Sequence, residues 1–391
     1  MNSQERIVAA FQGKQPDRVP VVFRLSLDLI RQRIPKQMRL LDVFRRWIKN
    51  PLDAESSVIR LQEEFGLDPI VVTASQHVGE WESWPRALFG YPPDAIQTWR
   101  EKSHVVLGAT NSQALSIRRV IETPKGELSY AYQVKGGSCW PSEYLVKEEH
   151  DIELLQYRPD PMQIDIDVVK SMVEQVRQRV FFRHAFSAVW NEASELRGPV
   201  NLAMDIYERP AWVKELLEIV KRRQLRHVRR LAQTGIHSIA YMQDWMGMGV
   251  SPAVYDEFIG PYDQEVIQTA HDAGLLVTYH VCGRGSALLE QIVSSGPDAL
   301  ETLTPREKSG DFDLADCKAR VGDRICLFGG FDERVLSEDS QKVRAEARRC
   351  LDAAMAGGGY ILHGTGLLYS TKPENMRVLI ETVQERGTYL H

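Results

Sequence analysis

Cysteine is scarce and unevenly placed in this chain: the five at positions 139, 282, 317, 326 and 350 are odd in number and irregular in spacing. That argues against a disulfide framework and for reduced thiols. No stretch of about 20 apolar residues occurs, so no membrane-spanning helix is expected. Basic charge is not in excess either. Lys plus Arg number 48 against 53 Asp plus Glu, a formal net charge of −5, and the broad positive field that nucleic acid or an anionic membrane surface requires is missing. Short repeats, low-complexity tracts and a Pro/Gly/Ser linker between unlike halves are all lacking, so residues 1–391 read as one domain. The opening MNSQERIVAAFQGKQPDRVP is polar and amphipathic. It lacks the basic-then-apolar order of a secretory leader, and a cytoplasmic protein is the expectation.

What is present is a rhythm. With 43% hydrophobic and 26% charged residues the chain can bury a sizeable core. In its second half short apolar runs alternate with long amphipathic stretches. NLAMDI (201–206), HSIAYM (237–242), LLVTYHVCG, DALETL, ICLFGG and YILHG read as strands, each followed by a helix, as in successive βα units. Ser251-Pro252 has the form of an N-cap and first-turn pair. An open doubly wound sheet fits the count, but its nucleotide-binding form needs a Gly-rich phosphate turn after an early strand, and none is visible. The expected fold is therefore α/β, a closed (β/α)8 TIM barrel. In the first half, IVVTA (70–74) and HVVLGA (104–109) read as strands, and alternation about Pro124-Lys125-Gly126 predicts an antiparallel β-hairpin insertion over about 115–140.

Parallel barrels place their chemistry at the C-terminal strand ends. The residues that finish the apolar runs are Asp205, Gln243, Asp244, His280, Cys282, Glu301, Asp332, His363 and Thr365. Alternation along an extended segment puts His280 and Cys282 on one face. Imidazole nitrogen and thiolate sulfur are natural zinc ligands, with Glu301, His363 or Asp244 available to complete the set. The plainer reading is a satisfied histidine beside a buried thiol. Asp332, after Gly329-Gly330, suits a general base or a hydrogen-bond acceptor for substrate, and equally a helix N-cap. Trp81, Trp84, Trp99, Trp140 and Trp245 fall largely in loops. Core packing is the default for each, and Trp245, two residues past a strand end, is the strongest candidate to line a pocket.

In these segments the chain resembles the uroporphyrinogen decarboxylase-like (URO-D) superfamily, and within it the corrinoid-dependent methyltransferase branch. The likeness runs through ERIVAAFQGKQPDRVPV, TPKGELSYAY, SCWPSEYLVKEEHDIELL, SPAVYDEFIGPYDQEVI, TYHVCG, SSGPDALETLTP, GDRICLFGGFDERVL, GGGYILHGTG and KPENM. The resemblance implies a (β/α)8 barrel with its cleft at the C-terminal strand ends. True decarboxylases carry an arginine-rich RQAGR-like motif that grips a polycarboxylate. The corresponding stretch here is VVFRLSLDLI, in which Arg24 is the only basic residue, and a substrate with eight carboxylates is poorly served.

The methyltransferase branch implies a His-x-Cys…Cys zinc site. His280 and Cys282 match its first two ligands, whereas Gly364-Thr365-Gly366 stands where a Gly-Cys-Gly-like segment carries the third. Either Glu301 or His363 replaces that cysteine, or no catalytic zinc binds. The expectation is a methyltransferase or demethylase working between a small methylated substrate, such as a methoxyaromatic, and a cobalamin (corrinoid) carrier protein. Its metal or acid centre is His280, Cys282 and Glu301, assisted by Asp244, Asp332 and His363. Arg24, Trp140, Asp205, Trp245, Tyr279 and Thr365 are expected on the substrate side. The alternative is a metal-independent decarboxylase or lyase on a small carboxylic acid, using Asp332 or His363 for proton transfer and Arg24 for the carboxylate.

Overall fold

Short runs rich in β-branched and aromatic residues form the strands. The computed structural model of the chain describes residues 1–25, 59–74, 97–107, 115–135, 138–159, 166–176, 178–244, 246–247, 249–366, 368 and 371–389. In chain order the strands are β1 (Val21–Val22), β2 (Ile70–Ala74), β3 (Arg100–Leu107), β4 (Leu115–Thr123), β5 (Gly126–Lys135), β6 (Ser138–Glu143) and β7 (Phe181–Ser187). Next come β8 (Ser238–Met242), β9 (Leu276–His280), β10 (Ala299–Thr302), β11 (Cys326–Phe331) and β12 (Tyr360–Gly364).

Eight of these form one parallel sheet in the order β1-β12-β11-β10-β9-β8-β7-β2. β10, β11 and β12 are buried along their whole length, as strands covered on both faces must be. The two outermost strands are tied together through the segment that precedes β2. The Asp68 amide donates to the Val21 carbonyl at 2.8 Å, and the Val21 amide donates to Asp68 Oδ2 at 2.9 Å. Gln62 Nε2 donates to the carbonyls of Phe23 and Ile70, both at 3.2 Å. The result is a nearly closed barrel. Helices such as Pro210–Leu231, Gly260–Asp272, Ser340–Ala354 and Pro373–Arg386 cover its outside. Ser251 caps the helix Pro252–Phe258 by accepting from the Val254 amide at 3.3 Å.

One reading of the sequence is corrected and another is extended. NLAMDI is part of a helix, Pro199–Glu208, and the strand of that unit is β7, twenty residues earlier. Pro199 occupies the first turn, and the buried residues Leu202, Asp205 and Ile206 keep helical spacing, whereas Met204, which a strand would bury with them, is exposed. The predicted hairpin is the centre of a larger unit. β4 and β5 pair antiparallel with Thr123 opposite Gly126, and β3 and β6 extend them to a four-stranded sheet. Residues 104–107 thus belong to that sheet and not to the barrel.

Candidate functional site

Alternation decides which side chains of β9 reach the barrel interior. Tyr279 points outward, where its hydroxyl meets Asp263 on the helix Gly260–Asp272, and His280 points inward. β10 lies beside β9 with Glu301 opposite His280. Glu301 Oε2 accepts from His280 Nδ1 at 2.7 Å. A carboxylate at that distance accepts a hydrogen, so Nδ1 holds one and Nε2 is aimed at the mouth. There it stands 2.9 Å from Cys282 Sγ and 3.5 Å from Asp244 Oδ1.

The other Glu301 oxygen accepts from Arg183 Nη2 of β7 at 2.5 Å, and the Arg183 guanidinium lies 5.4 Å from the centre of the Phe328 ring. His363 Nε2 is 3.4 Å from Glu301 Oε1, while its Nδ1 donates to the Val22 carbonyl at 2.7 Å. All four of these titratable side chains are almost completely buried. Burial alone would raise Glu301, but Arg183 and His280 hold it well below the usual carboxylate range. Burial alone would lower His280, but Cys282 and Glu301 push it up to about 10. His363, where burial dominates, lies below its ordinary value. The centre of the barrel is an ionised carboxylate clamped between a guanidinium and an imidazole.

The backbone around this centre is tightly constrained. Thr302 and Leu303, directly after Glu301, have φ of +84° and +51°, a region that non-glycine residues, and β-branched ones such as Thr302 most of all, seldom enter. Thr302 Oγ1 donates to the Val281 carbonyl. A Cβ at Gly329 would lie 2.3 Å from the Thr302 carbonyl oxygen, so glycine is what lets β11 approach. Beyond Cys282, Asp311 Oδ1 accepts from the amides of Gly285 and Ser286 at 2.8 and 3.0 Å, holding the following loop.

Asp244, His280 and Cys282 present one oxygen, one nitrogen and one sulfur within 4.8 Å of one another. Asp244 Oδ1 is buried and makes no hydrogen bond among the described residues. Ligands of a tetrahedral zinc ion, at about 2.0–2.3 Å from it, lie roughly 3.5 Å apart, close to the separations found here. The second imidazole nitrogen already rests on a carboxylate, an arrangement that orients metal-bound histidines. The three residues therefore fit a zinc ion, with Glu301 behind His280 and not in the ligand set expected from the sequence.

The remaining sequence candidates scatter. Asp205 is no strand-end group: on its helix it pairs with Arg197 at 2.7 Å and Arg209 at 2.8 Å. Tyr279 faces the outer helix layer, since the odd residues of β9 point away from the interior. Asp332 takes the N-cap alternative, accepting from the Arg334 amide at 3.1 Å and pairing with its guanidinium at 2.6 Å. Thr365 donates to Glu333 Oε2 at 3.2 Å, and Glu333 is also paired with Lys308. Trp140 is exposed on β6, and Trp99 is buried. Trp81, Trp84 and Trp245 lie outside the described residues. Arg24 follows β1, and its buried Nε has no hydrogen-bond partner among the described residues. Sequence reasoning missed Arg183, whose signal was a lone arginine inside the apolar run FFRHAFS.

A family model described as uroporphyrinogen decarboxylase (URO-D) matches residues 131–386. Among curated relatives, a uroporphyrinogen decarboxylase of Methylibium petroleiphilum is 28% identical over 194 residues, covering 46% of this chain and 50% of the relative. One from Azoarcus sp. is 29% identical over 188 residues, covering 47% and 51%. The chain thus spans about half the length of the curated relatives it matches. A solved structure named as a methyltransferase from Methanosarcina mazei superposes with a TM-score of 0.66 at 16% identity, covering 98% of this chain and 99% of the other. At that identity the likeness establishes the shared fold.

Proposed function

The chain belongs to the uroporphyrinogen decarboxylase (URO-D) family, and from that premise we propose that it is a metal-assisted methyltransferase or demethylase. It moves a methyl group between a small methylated substrate, such as a methoxyaromatic, and a corrinoid carried by a separate protein. The observation that carries this reading is the convergence of Asp244 Oδ1, His280 Nε2 and Cys282 Sγ at the barrel mouth.

Zinc held there would supply a Lewis acid for the heteroatom that loses or gains the methyl group. The protein's own part is to prepare the donors. Glu301 keeps the Nδ1 hydrogen of His280 in place, so that Nε2 is the nitrogen offered to the mouth. Arg183 keeps Glu301 ionised in a fully buried site. In the metal-free site His280 carries the proton that Cys282 and Glu301 stabilise, so metal uptake releases it. With Thr365 engaged by Glu333, Asp244 takes the place of the second thiolate. A set with one thiolate in place of two is a harder, less electron-rich one, which suits activation of an ether or amine leaving group over a thiol acceptor.

The test is metal analysis of the wild type beside Cys282→Ser and Asp244→Ala, followed by incubation with a reduced corrinoid and a panel of methoxyaromatics, methylamines and methyl thiols. One zinc per chain, lost in both variants, and methylcorrinoid formation with one class of donor support the reading. A wild type without stoichiometric metal, or silence across the panel, overturns it. A second reading is favoured by Arg24, whose buried Nε lacks a partner among the described residues and whose charge reaches His363. It is a metal-independent carboxy-lyase for a small acid, identified by chelator-insensitive release of carbon dioxide.

A further inference from the structure

A second buried carboxylate lies directly behind the candidate metal site. Asp263, in the first turn of the helix Gly260–Asp272, has no solvent exposure. Its neighbours are neutral donors from two strands and one helix. Tyr279 of β9 donates to Oδ2 at 2.5 Å, Tyr241 of β8 donates to Oδ1 at 2.9 Å, and Gln243 Nε2 reaches both oxygens at 3.2 and 3.1 Å. Tyr255, on the helix Pro252–Phe258, stands at 3.5 Å and contacts the Tyr279 hydroxyl at 3.3 Å.

These partners are placed in a particular way in the chain. Tyr279 immediately precedes His280, and Gln243 immediately precedes Asp244. The Gln243 amide donates to the His280 carbonyl at 2.9 Å, so the last backbone bond between β8 and β9 joins the two ligand-bearing segments. One carboxylate therefore grips the residue before each of two ligands, from the face of the sheet opposite to the site. Because Tyr279 and Asp263 lie on the outer side of β9, Asp263 touches neither the mouth nor anything bound there.

We propose that Asp263 is a positioning residue for the Asp244–His280–Cys282 site, fixing the ends of β8 and β9 so that Asp244 and His280 stay within reach of a single metal ion. The inference rests on the metal reading above. A carboxyl group is suited to the task because its two oxygens, protonated or not, engage several hydrogen-bond partners at once in a fixed plane. Outer hydrogen-bond partners of metal ligands commonly govern affinity by about 10–100-fold, and here such a partner acts through the backbone.

The experiment compares Asp263→Asn, Tyr279→Phe and Tyr255→Phe with the wild type. Three quantities are measured: zinc affinity by competition with a chromophoric chelator, the iodoacetamide alkylation rate of Cys282 in metal-free protein followed by peptide mass, and melting temperature. Peptide mass separates Cys282, which is exposed, from Cys139 and from the buried Cys317, Cys326 and Cys350, so its own alkylation reports on the site, where His280 Nε2 stands beside the sulfur. Asp263→Asn and Tyr279→Phe are expected to weaken zinc at least about tenfold and to change the Cys282 rate severalfold. Tyr255→Phe touches the network away from any ligand. It is expected to lower the melting temperature while leaving affinity and alkylation within about twofold of wild type.

Equal affinity and equal alkylation in Asp263→Asn and wild type would overturn the inference, as would a Tyr255→Phe effect on the site as large as that of Tyr279→Phe. Should the wild type bind no zinc, the metal reading falls and the Cys282 rates alone decide whether Asp263 positions these side chains.

Discussion

Strand β9 has a fully buried carboxylate on each side, and the two have opposite fates. On the inner face Glu301 meets Arg183 at 2.5 Å and His280 at 2.7 Å, and these cations outweigh its burial and hold it ionised. On the outer face Asp263 meets only hydroxyls and an amide. Burial pushes it up to about 7, with the hydrogen bonds from Tyr279, Tyr241 and Gln243 offsetting only part of the rise. Hydrogen bonds alone do not keep a buried carboxylate charged, whereas a cation does. The barrel thus spends a permanent charge where His280 must be oriented, and uses a titratable one where strand ends must be tied.

The largest effect should come from removing the inner charge. Glu301→Gln takes from the buried Arg183 guanidinium its carboxylate at 2.5 Å, a loss of about 3–5 kcal/mol in urea unfolding. It also removes the acceptor that fixes His280, with zinc affinity falling about 10–100-fold. A change below about 1 kcal/mol would mean that the inner carboxylate is no more committed than a surface one. Next comes Gly329→Ala. Its Cβ would fall 2.3 Å from the Thr302 carbonyl, and relief must come from the strained turn after Glu301, at a cost of about 1–3 kcal/mol. The melting temperature measures that cost. Asp263 lies on the other face, so its partners should be unaffected, and the contrast sharpens if zinc affinity also falls.

These contrasts also explain which parts of the molecule were readable beforehand. β8 to β12 were legible because each is an apolar run feeding an amphipathic helix. β7 was not, since Arg183 and His184 interrupt it. Arg183 is buried for Glu301, and His184 lies 3.3 Å from His227 on the outer helix. The segment 201–206 misled because a helix with Leu202, Asp205 and Ile206 inside has the composition of a strand. His280 and Cys282 were found through strand alternation, a local property. Asp244 was among the groups the sequence offered to complete a metal site, but that it, and not Glu301, lies beside His280 Nε2 was not legible, because register between β9 and β10 places Glu301 behind the ring at Nδ1. Asp263 carried no local signal, as its partners come from separate elements.

A smaller effect tests the outer carboxylate through pH. With a folded value of about 7 against about 3.9 in the unfolded chain, Asp263 stays protonated in the native state while the unfolded chain ionises. Its contribution is fully present below about pH 4 and is lost as pH rises through about 7, at up to about 1.4 kcal/mol per pH unit. The stability advantage of wild type over Asp263→Asn should therefore shrink between pH 5 and pH 8 in parallel denaturation series. A constant difference would place a charge partner beside Asp263 and remove the distinction between the faces.

The smallest effect belongs to a carboxylate outside both environments. Asp332 ends β11 at the mouth, yet its side chain is turned to Arg334, which is half exposed. Burial and Arg334 oppose one another there, and the guanidinium and amide of Arg334 win, leaving the carboxyl below its usual value. Solvent screening keeps the worth of such a pair small. Asp332→Ala should cost about 1 kcal/mol or less from the lost cap and ion pair, and zinc affinity should stay within about twofold of wild type. Strand-end position alone would make Asp332 the equal of Glu301. A large loss of metal binding in Asp332→Ala would mean that position, and not the partner held by each carboxylate, sets its role.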